Sequence, residues 1–183
     1  LGADTNLTST GAGVVFNNTL DGGHALTISS NGAFIDFNNP VGGTTPLTSL
    51  NATATGSTIN IDDTAGITTT GVQTYNDTAS FNAGTTTLTG TDLTFEDDLI
   101  GAPLILNGSG TTTFNGAIPN GPFGLTTDAA GTTVINTATF TINSDININD
   151  PLTLTADTTL DGANITLADT VDGAQALTLN TTG

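Results

Sequence analysis

The residues of this chain that could do chemistry are almost all oxygen ligands. Of the 183 residues, 17 are acidic and one is histidine, while lysine, arginine and cysteine are absent. These absences exclude a lysine Schiff base, a thiol nucleophile, a disulfide framework and an arginine clamp for phosphate. Two acidic clusters, Asp62-Asp63 and Glu96-Asp97-Asp98, offer the paired carboxylates that sugar hydrolysis uses.

Neither acidic cluster is expected to be catalytic. Neighbouring residues on a strand point to opposite faces, so adjacent carboxylates seldom meet one substrate. The chain also lacks any basic side chain that would bind a uronate. His24 follows Gly22-Gly23, and the nearby sequence does not supply the partners of a catalytic triad or a zinc site. The sequence therefore predicts that the protein is not an enzyme and that His24 is an ordinary surface residue.

Calcium is the metal that these side chains fit best, because it prefers hard oxygen ligands at short spacing. Two segments provide them, and the residues are Asp145, Asn147, Asn149 and Asp150 in one and Glu96, Asp97 and Asp98 in the other. Neither segment matches an EF-hand loop or a Gly-Gly-x-Gly-x-Asp nonapeptide. We predict weak calcium binding at one or both segments and no other cofactor, with an exposed polar ladder as the alternative interpretation.

The formal charge of −17 limits the partners of the protein. Affinity for nucleic acid comes mainly from lysine and arginine, so nucleic-acid binding is not expected. An anionic membrane surface would repel the chain. The longest apolar runs, such as Leu104 to Leu106, are far shorter than the ~20 residues that span a bilayer. We therefore expect no membrane insertion.

The elements that must position these side chains are strands. The chain contains 42 Thr, 23 Gly and 19 Asn, which favour strands and turns, and it lacks Lys, Arg and Met among the helix formers. Short apolar pairs alternate with polar residues at period two, as in Leu26/Ile28, Ile59/Ile61, Leu93/Phe95 and Leu152/Leu154. This pattern predicts an all-β fold.

The chain also repeats itself every 73 to 80 residues. We interpret it as one continuous repeat segment with units at approximately 1–80, 81–153 and 154–183, the last of them partial. Two sets of residues are expected to occupy equivalent inward positions of their units: Phe16, Phe95 and Leu167, and Leu26, Leu104 and Leu177. Because the third unit stops part-way, we expect the natural protein to continue.

Two architectures fit strand-turn steps of this length, namely a β-sandwich array and a parallel β-solenoid. Sandwiches usually contain a large aromatic core residue, but this chain has no Trp and a single Tyr. The variable repeat length favours the solenoid, since extra residues can loop out at a corner. About 20 residues per coil gives about nine coils, or a rod of roughly 45 Å at ~4.8 Å per coil.

The segment from Thr68 to Asp77, followed by Phe81 and Thr85 to Gly90, resembles the repeat of giant bacterial surface proteins. These are the β-strand-repeat relatives of filamentous haemagglutinin and autotransporter adhesins. The segment from Pro40 to Leu50 resembles another phrase of that group. The resemblance implies a right-handed parallel β-helix exported to the bacterial cell surface. Residues 117–125 of the second unit depart from the pattern, so we expect irregular coils there.

The leading functional hypothesis is a structural or adhesive segment of an exported fibre-forming protein. It would either associate with itself into an elongated fibre or continue within a longer chain, and an adhesive role would involve a glycan on a host cell, surface or matrix. The alternative is an ice-binding solenoid, which needs Thr-x-Thr at one position on every coil. A carbohydrate-active β-helix enzyme is a weaker alternative.

Overall fold

In the computed structural model, which describes residues 1–121 and 124–183 apart from the side chains of residues 120 and 121, the chain is all-β. Parallel strands stack into a β-solenoid of about nine turns, which confirms the solenoid and not the sandwich array. Across the described residues there is no helix that could span a membrane. Consecutive strands run along three faces in turn, so each coil is a triangle.

Face 1 is a nine-stranded parallel sheet that runs the length of the rod. Its strands are β1 (Thr5–Thr10), β3 (Ala25–Asn31), β5 (Ser49–Thr53), β8 (Gln73–Tyr75), β11 (Leu93–Phe95), β14 (Thr111–Phe114), β17 (Thr132–Ile135), β20 (Leu152–Leu154) and β23 (Val171–Asp172).

Face 2 consists of a five-stranded and a four-stranded sheet that follow one another along the rod. Its strands are β2 (Val14–Phe16), β4 (Ile35–Phe37), β6 (Ile59–Ile61), β9 (Ala79–Phe81), β12 (Leu99–Gly101), β15 (Ile118–Gly121), β18 (Thr139–Ile142), β21 (Thr158–Gly162) and β24 (Leu177–Thr181). The two sheets meet between β12 and β15, where the Leu99 amide donates to the carbonyl of Ala117 at 3.1 Å.

Face 3 begins with single bridges in the first coils and becomes a regular sheet further along. Leu20 pairs with Val41 and Val41 with Ile67. The strands that follow are β7 (Ile67–Thr68), β10 (Thr86–Gly90), β13 (Leu104–Gly108), β16 (Leu125–Thr127), β19 (Ile146–Ile148) and β22 (Ile165–Leu167).

The coils differ in length, and the corners absorb the difference. On face 1, Leu26 pairs with Leu50, which lies 24 positions later, whereas Leu152 pairs with Val171, which lies 19 positions later. Because register is fixed within each sheet by the alternation of apolar residues, extra residues lie mainly in the turns. The variable repeat length seen in the sequence has this origin.

The core fills the interior of the triangle from all three faces. Strand residues alternate between buried and partly exposed, as in β11, where Leu93 and Phe95 are buried and Thr94 faces outward. Aromatic rings stack from coil to coil along face 1: Tyr75 lies on Phe95 at a centroid distance of 5.2 Å, and Phe95 lies on Phe114 at 5.4 Å. No buried side-chain nitrogen or oxygen in the described part lacks a hydrogen-bond partner.

Both sets of repeat-equivalent residues point inward, but each set is spread over three faces. Phe16 lies on face 2, Phe95 on face 1 and Leu167 on face 3, and all three pack in or against the core. Leu26 lies on face 1, Leu104 on face 3 and Leu177 on face 2.

The reason is the number of strand positions in one sequence repeat. Moving from a residue to its repeat equivalent means moving eleven strands along the chain, as from β13 to β24. The move from β2 to β11 is also eleven strands if the bridging residues Leu20 and Val41 are each counted as a short strand of face 3. Eleven is not a multiple of three, so each sequence unit spans three and two-thirds coils. Equivalent residues of successive units therefore lie on different faces.

The irregularity expected in residues 117–125 is visible in the pairing. Between β15 and β18 the register shifts, since Ile118 pairs with Phe140 but Gly121 pairs with Ile142. The first pair is offset by 22 positions and the second by 21, which marks an extra residue in β15. Pro122 and Phe123 of this segment lie outside the described residues.

Candidate functional site

The first predicted calcium segment forms the corner between β11 and β12. Glu96 and Asp97 are exposed there, and Asp98 is half-buried. The Glu96 Oε2 atom accepts a hydrogen bond from Asn115 Nδ2 at 2.8 Å, and Asp97 Oδ2 accepts one from Thr78 Oγ1 at 3.3 Å. Each carboxylate is thus bonded to a different neighbouring coil, Thr78 in the coil before and Asn115 in the coil after.

The second predicted calcium segment is divided between the outside and the inside of the rod. Asp145 is exposed and Asn147 and Asn149 are half-buried, whereas Asp150 is 2% exposed. The side chains that alternate at positions 145, 147 and 149 share the outward side of β19, as the sequence suggested. Asp150 lies on the opposite side, so the structure does not bring all four residues together.

Asp150 belongs instead to an internal polar cluster between two coils. Its Oδ1 atom accepts hydrogen bonds from Thr127 Oγ1 and from Thr133 Oγ1, both at 2.8 Å. The Thr127 hydroxyl in turn accepts from the amide of Asn149 at 3.0 Å. A carboxylate buried without a basic partner is costly unless hydrogen bonds compensate it. Here threonine hydroxyls supply that compensation in a chain without lysine or arginine.

Asp128 lies at the same corner and feels the buried carboxylate. Burial raises the pKa of Asp128 above its ordinary value, a hydrogen bond from the backbone of Gly108 opposes the shift, and the charge of Asp150 adds to it. A neighbouring negative charge and partial desolvation both disfavour the ionised form. The corner therefore takes up a proton more readily than an isolated aspartate would.

The remaining titratable candidates cap turns. Asp62 Oδ1 accepts from Asn82 Nδ2 at 2.9 Å, and Asp63 Oδ1 accepts from the amide of Ala65 at 2.7 Å. His24 Nδ1 lies 3.5 Å from Asp4 Oδ1, and the His24 side chain is partly exposed while that of Asp4 is largely exposed. Asp62 and Asp63 thus each bond to a separate part of the fold, and neither arrangement resembles a pair of carboxylates facing one substrate.

Threonine forms a broken single column on the outside of face 1. The outward position at the middle of each strand is occupied in chain order by Asn6, Thr27, Asn51, Thr74, Thr94, Thr113, Val134, Thr153 and Asp172. The position two residues after each of these holds Thr8, Ser29, Thr53, Asn76, Glu96, Asn115, Asn136, Thr155 and Ala174. Outward Thr-x-Thr pairs occur on face 1 at Thr8/Thr10, Thr111/Thr113 and Thr153/Thr155, but each pair occupies a different position across the sheet, so the pairs do not stack from coil to coil. The repeated pair that an ice-binding face needs is not formed there.

The described residues contain no pocket and no group of three or more acidic or histidine side chains placed to hold a metal ion. Ligand sites and active sites are concave, so a rod with a filled interior offers its sides and corners instead. Comparisons of the chain with family models, curated proteins and solved structures found no match.

A second buried polar group was not predicted from the sequence. Gln73 is fully buried, and its Nε2 atom donates to the carbonyls of Thr89 at 2.8 Å and of Ile67 at 3.2 Å. Its Oε1 atom accepts from the hydroxyl of Tyr75 at 2.8 Å, and burial raises the pKa of that phenol. In the sequence the only signal is the position of Gln73, two residues before the inward Tyr75. The neighbouring strands of face 1 have leucine at this position, Leu50 and Leu93.

Proposed function

We propose that this chain is a structural or adhesive segment of an exported fibre-like surface protein, and that it has no catalytic activity. The observation that supports this proposal is the filled rod. Apolar residues from three faces occupy the interior, and the described part contains no pocket. Such a molecule offers length and three faces of mainly polar side chains, which suit a scaffold better than an enzyme.

The charge of the surface supports the same role. A formal charge of −17 without any lysine or arginine keeps rods apart by repulsion and favours solubility. Extracellular salt screens this repulsion over about 8 Å, so rods can still approach one another closely. The proposed location is the outside of a bacterial cell, as the resemblance to repetitive surface proteins implies, and the charge is compatible with it.

We place self-association of the isolated segment at the two ends of the rod, which adjoining residues would cover in a longer chain. β1 has a sheet neighbour on one side only, and so have β23 and β24. Unpaired backbone groups of an edge strand pair readily with another strand. Leu177 is only partly buried and Leu179 is 50% exposed, which adds apolar surface to the unpaired edge of the last coil. End-to-end contact would cover both the backbone groups and the apolar side chains.

Sedimentation and negative-stain electron microscopy over a wide range of concentrations test the assembly. We expect particles of one narrow width whose length grows in steps of about 43 Å, which is nine coils at ~4.8 Å. Alternate residues of a parallel strand bond to opposite neighbours, so the backbone amide of Thr181 points away from β21 and is unpaired at the end of the rod. Thr181→Pro removes the hydrogen of this amide. This variant should shorten the particles, and the matched variant Thr181→Ala should not. A compact particle that stays monomeric at high concentration would contradict the proposal.

A separate assay tests the absence of catalysis. The folded chain is incubated with a panel of neutral and acidic polysaccharides, and the release of reducing ends is measured. We expect no release above a heat-denatured control. Release that disappears in an Asp62→Asn or Asp97→Asn variant would overturn the non-enzymatic proposal while leaving the assembly result intact.

A further inference from the structure

The chain contains seven Asn-x-Ser/Thr triplets, the pattern that N-linked sugar transfer requires when x is not proline. Their first residues are Asn6, Asn17, Asn51, Asn76, Asn107, Asn164 and Asn180. A chain this rich in threonine and asparagine forms such triplets through composition alone, so the triplet does not identify a site. The surroundings of the acceptor amides divide them into two groups: in the described structure the side-chain nitrogens of Asn76 and Asn164 donate hydrogen bonds, and those of the other five asparagines do not.

Two triplets lie along strands of face 1 with both functional groups pointing outward. In β1 the exposed residues Asn6 and Thr8 share one side of the strand, and in β5 Asn51 is exposed on the same side as Thr53. Among the described contacts the Asn6 side chain makes no hydrogen bond. The Oδ1 atom of Asn51 accepts one from Asn76 at 2.8 Å, while its Nδ2 atom donates none that the structure describes.

Asn76 provides the contrast, because its amide nitrogen is fully engaged. It is half-buried, and its Nδ2 atom donates to Asn51 Oδ1 at 2.8 Å, to the carbonyl of Ala52 at 3.0 Å and to Thr53 Oγ1 at 3.0 Å. The amide of Asn164 is also engaged, since it donates to Asp145 Oδ1 at 2.8 Å. These bonds must break before either nitrogen can react.

We propose that Asn6 and Asn51 are acceptor sites for an N-linked sugar in the folded protein. In the transfer, the side-chain nitrogen bonds to the anomeric carbon of a nucleotide-linked or lipid-linked sugar. The bond between that carbon and its phosphate oxygen breaks, the diphosphate carrier leaves, and the amide loses one proton to the transferase. Asn6 and Asn51 lie in the same outward column two coils apart, about 10 Å at ~4.8 Å per coil.

The experiment treats the folded chain with a soluble asparagine glucosyltransferase and UDP-glucose, and peptide mass spectrometry measures the occupancy of each asparagine. We expect high occupancy at Asn6 and Asn51 and little at Asn76. In the urea-denatured chain Asn76 should become modified as well, because its three hydrogen bonds are lost. Thr8→Ala should abolish occupancy at Asn6, whereas Thr8→Ser keeps the triplet and should preserve it.

Two results would overturn the proposal. One is that Asn6 and Asn51 carry no sugar in the folded chain, although both are modified in the denatured chain. The other is equal occupancy of Asn51 and Asn76 in the folded chain. Thr8 is exposed, so the unmodified Thr8→Ala and Thr8→Ser chains should melt at the same temperature, and a loss of occupancy then reports on the triplet. Neither readout depends on self-association or on an adhesive role.

Discussion

Single residues stabilise this protein mainly by stacking on the equivalent residue of the next coil. Phe95 is 1% exposed and lies between Tyr75 and Phe114, with rings nearly parallel to both neighbours. Offset stacking adds a contribution beyond the buried area, about 0.5–1.5 kcal/mol for each aromatic pair. A ring in the middle of such a column has two partners, so its loss affects three coils.

Phe95→Ala should therefore destabilise the protein by about 3–5 kcal/mol, because it leaves a cavity and removes both stacking contacts. Val15→Ala is the matched control, since Val15 is 43% exposed on face 2 and should change stability by less than about 0.5 kcal/mol. Urea unfolding measures both. A loss below about 1 kcal/mol for Phe95→Ala would contradict its place in a packed column.

Asp128 gives the molecule a specific dependence on pH. Its pKa is raised in the folded state, so at neutral pH its ionised form costs stability. As the pH falls through the folded pKa, the folded state binds a proton before the unfolded state does, and stability rises. The gain is complete below the ordinary aspartate value of 3.8.

Asp128→Asn should accordingly melt at a higher temperature than the native protein at pH 7, and the difference should vanish near pH 3. The amide oxygen of asparagine can still accept the bond from Gly108.

Asp21→Asn should behave oppositely, because backbone hydrogen bonds from Thr45 and Thr44 lower the pKa of Asp21. Its native carboxylate therefore stabilises the fold at neutral pH and loses that effect in acid. If the melting-temperature difference from the native protein changed with pH in the same direction for both variants, the opposite pKa shifts of Asp128 and Asp21 would be wrong.

The corners between strands impose the strictest local requirements. Gly66 has a φ of +67°, and a Cβ atom there would lie 2.0 Å from the carbonyl oxygen of Thr87 in the next coil. Gly32 has a similar φ of +80°, but a Cβ atom there would have no neighbour within 4 Å. The two glycines share the backbone requirement and differ only in the space available.

Gly32→Ala should cost about 1–2 kcal/mol, the penalty for a left-handed alanine. Gly66→Ala should cost clearly more, because the Thr87 strand must also move away and its ladder bonds weaken. Chemical denaturation of the two variants gives the comparison. Equal losses would show that coil spacing at this corner relaxes freely.

The sequence predicted the strands, their inward residues and the solenoid, because the alternation of apolar residues depends only on which side of a strand is buried. It did not predict on which face each strand lies. Leu88 in β10 and Leu160 in β21 are eleven strands apart, which makes them equivalent in the sequence repeat, and both are buried, yet they lie on face 3 and face 2. The corners set the face, and their lengths vary too much to be counted from composition.

For the candidate calcium segment, too, the sequence predicted the residues within the strand but not the residue at the corner. The outward alternation at Asp145, Asn147 and Asn149 could be read from the sequence, but the burial of Asp150 could not. A residue just after a strand can turn either way, and the direction depends on hydroxyls from other coils. Thr127 and Thr133 supply them from 23 and 17 positions away.

The eleven-position repeat implies that strands of the three faces are interchangeable when their inward pattern is kept. Removing residues 88–159 joins Thr87 to Leu160, so that Leu160, Asp161 and Gly162 replace Leu88, Thr89 and Gly90. Buried and outward residues then keep their order. The remaining C-terminal strands should still fold, but each should lie on the face next to its native one, so that Leu160 moves from face 2 to face 3. Removing residues 88–160 instead places Asp161 at the buried position of Leu88 and should prevent folding of those coils.

A disulfide reports the rotation directly. Thr68 pairs with Thr89 in the native chain, so in the first deletion Thr68→Cys and Asp161→Cys become neighbours on face 3. They should cross-link in the deletion variant and not in the full chain, which has no native cysteine. A cooperative transition without the cross-link would mean that the chain folds with another arrangement of its faces.

At the scale of the whole molecule, the dominant electrostatic feature is a charge that has almost no internal compensation. Seventeen acidic side chains face one histidine and the amino terminus. Stacked coils lie ~4.8 Å apart, so the rod brings charges of successive coils to separations comparable to the Debye length of about 8 Å at physiological ionic strength. The folded rod holds these charges closer together than the unfolded chain does, and folding is therefore opposed by repulsion that salt weakens.

The melting temperature should consequently rise as NaCl increases from about 0.01 M to 1 M, over which the Debye length falls from about 30 Å to 3 Å. The double variant Glu96→Gln and Asp97→Asn removes two charges from one exposed corner and should show a smaller rise. Calcium and magnesium chloride at equal ionic strength separate screening from a specific site, since only a site of defined geometry distinguishes the two ions. A melting temperature that stays constant across the NaCl series would contradict repulsion between coils. An increase that is identical in the native chain and in the double variant would place the repulsion elsewhere on the rod.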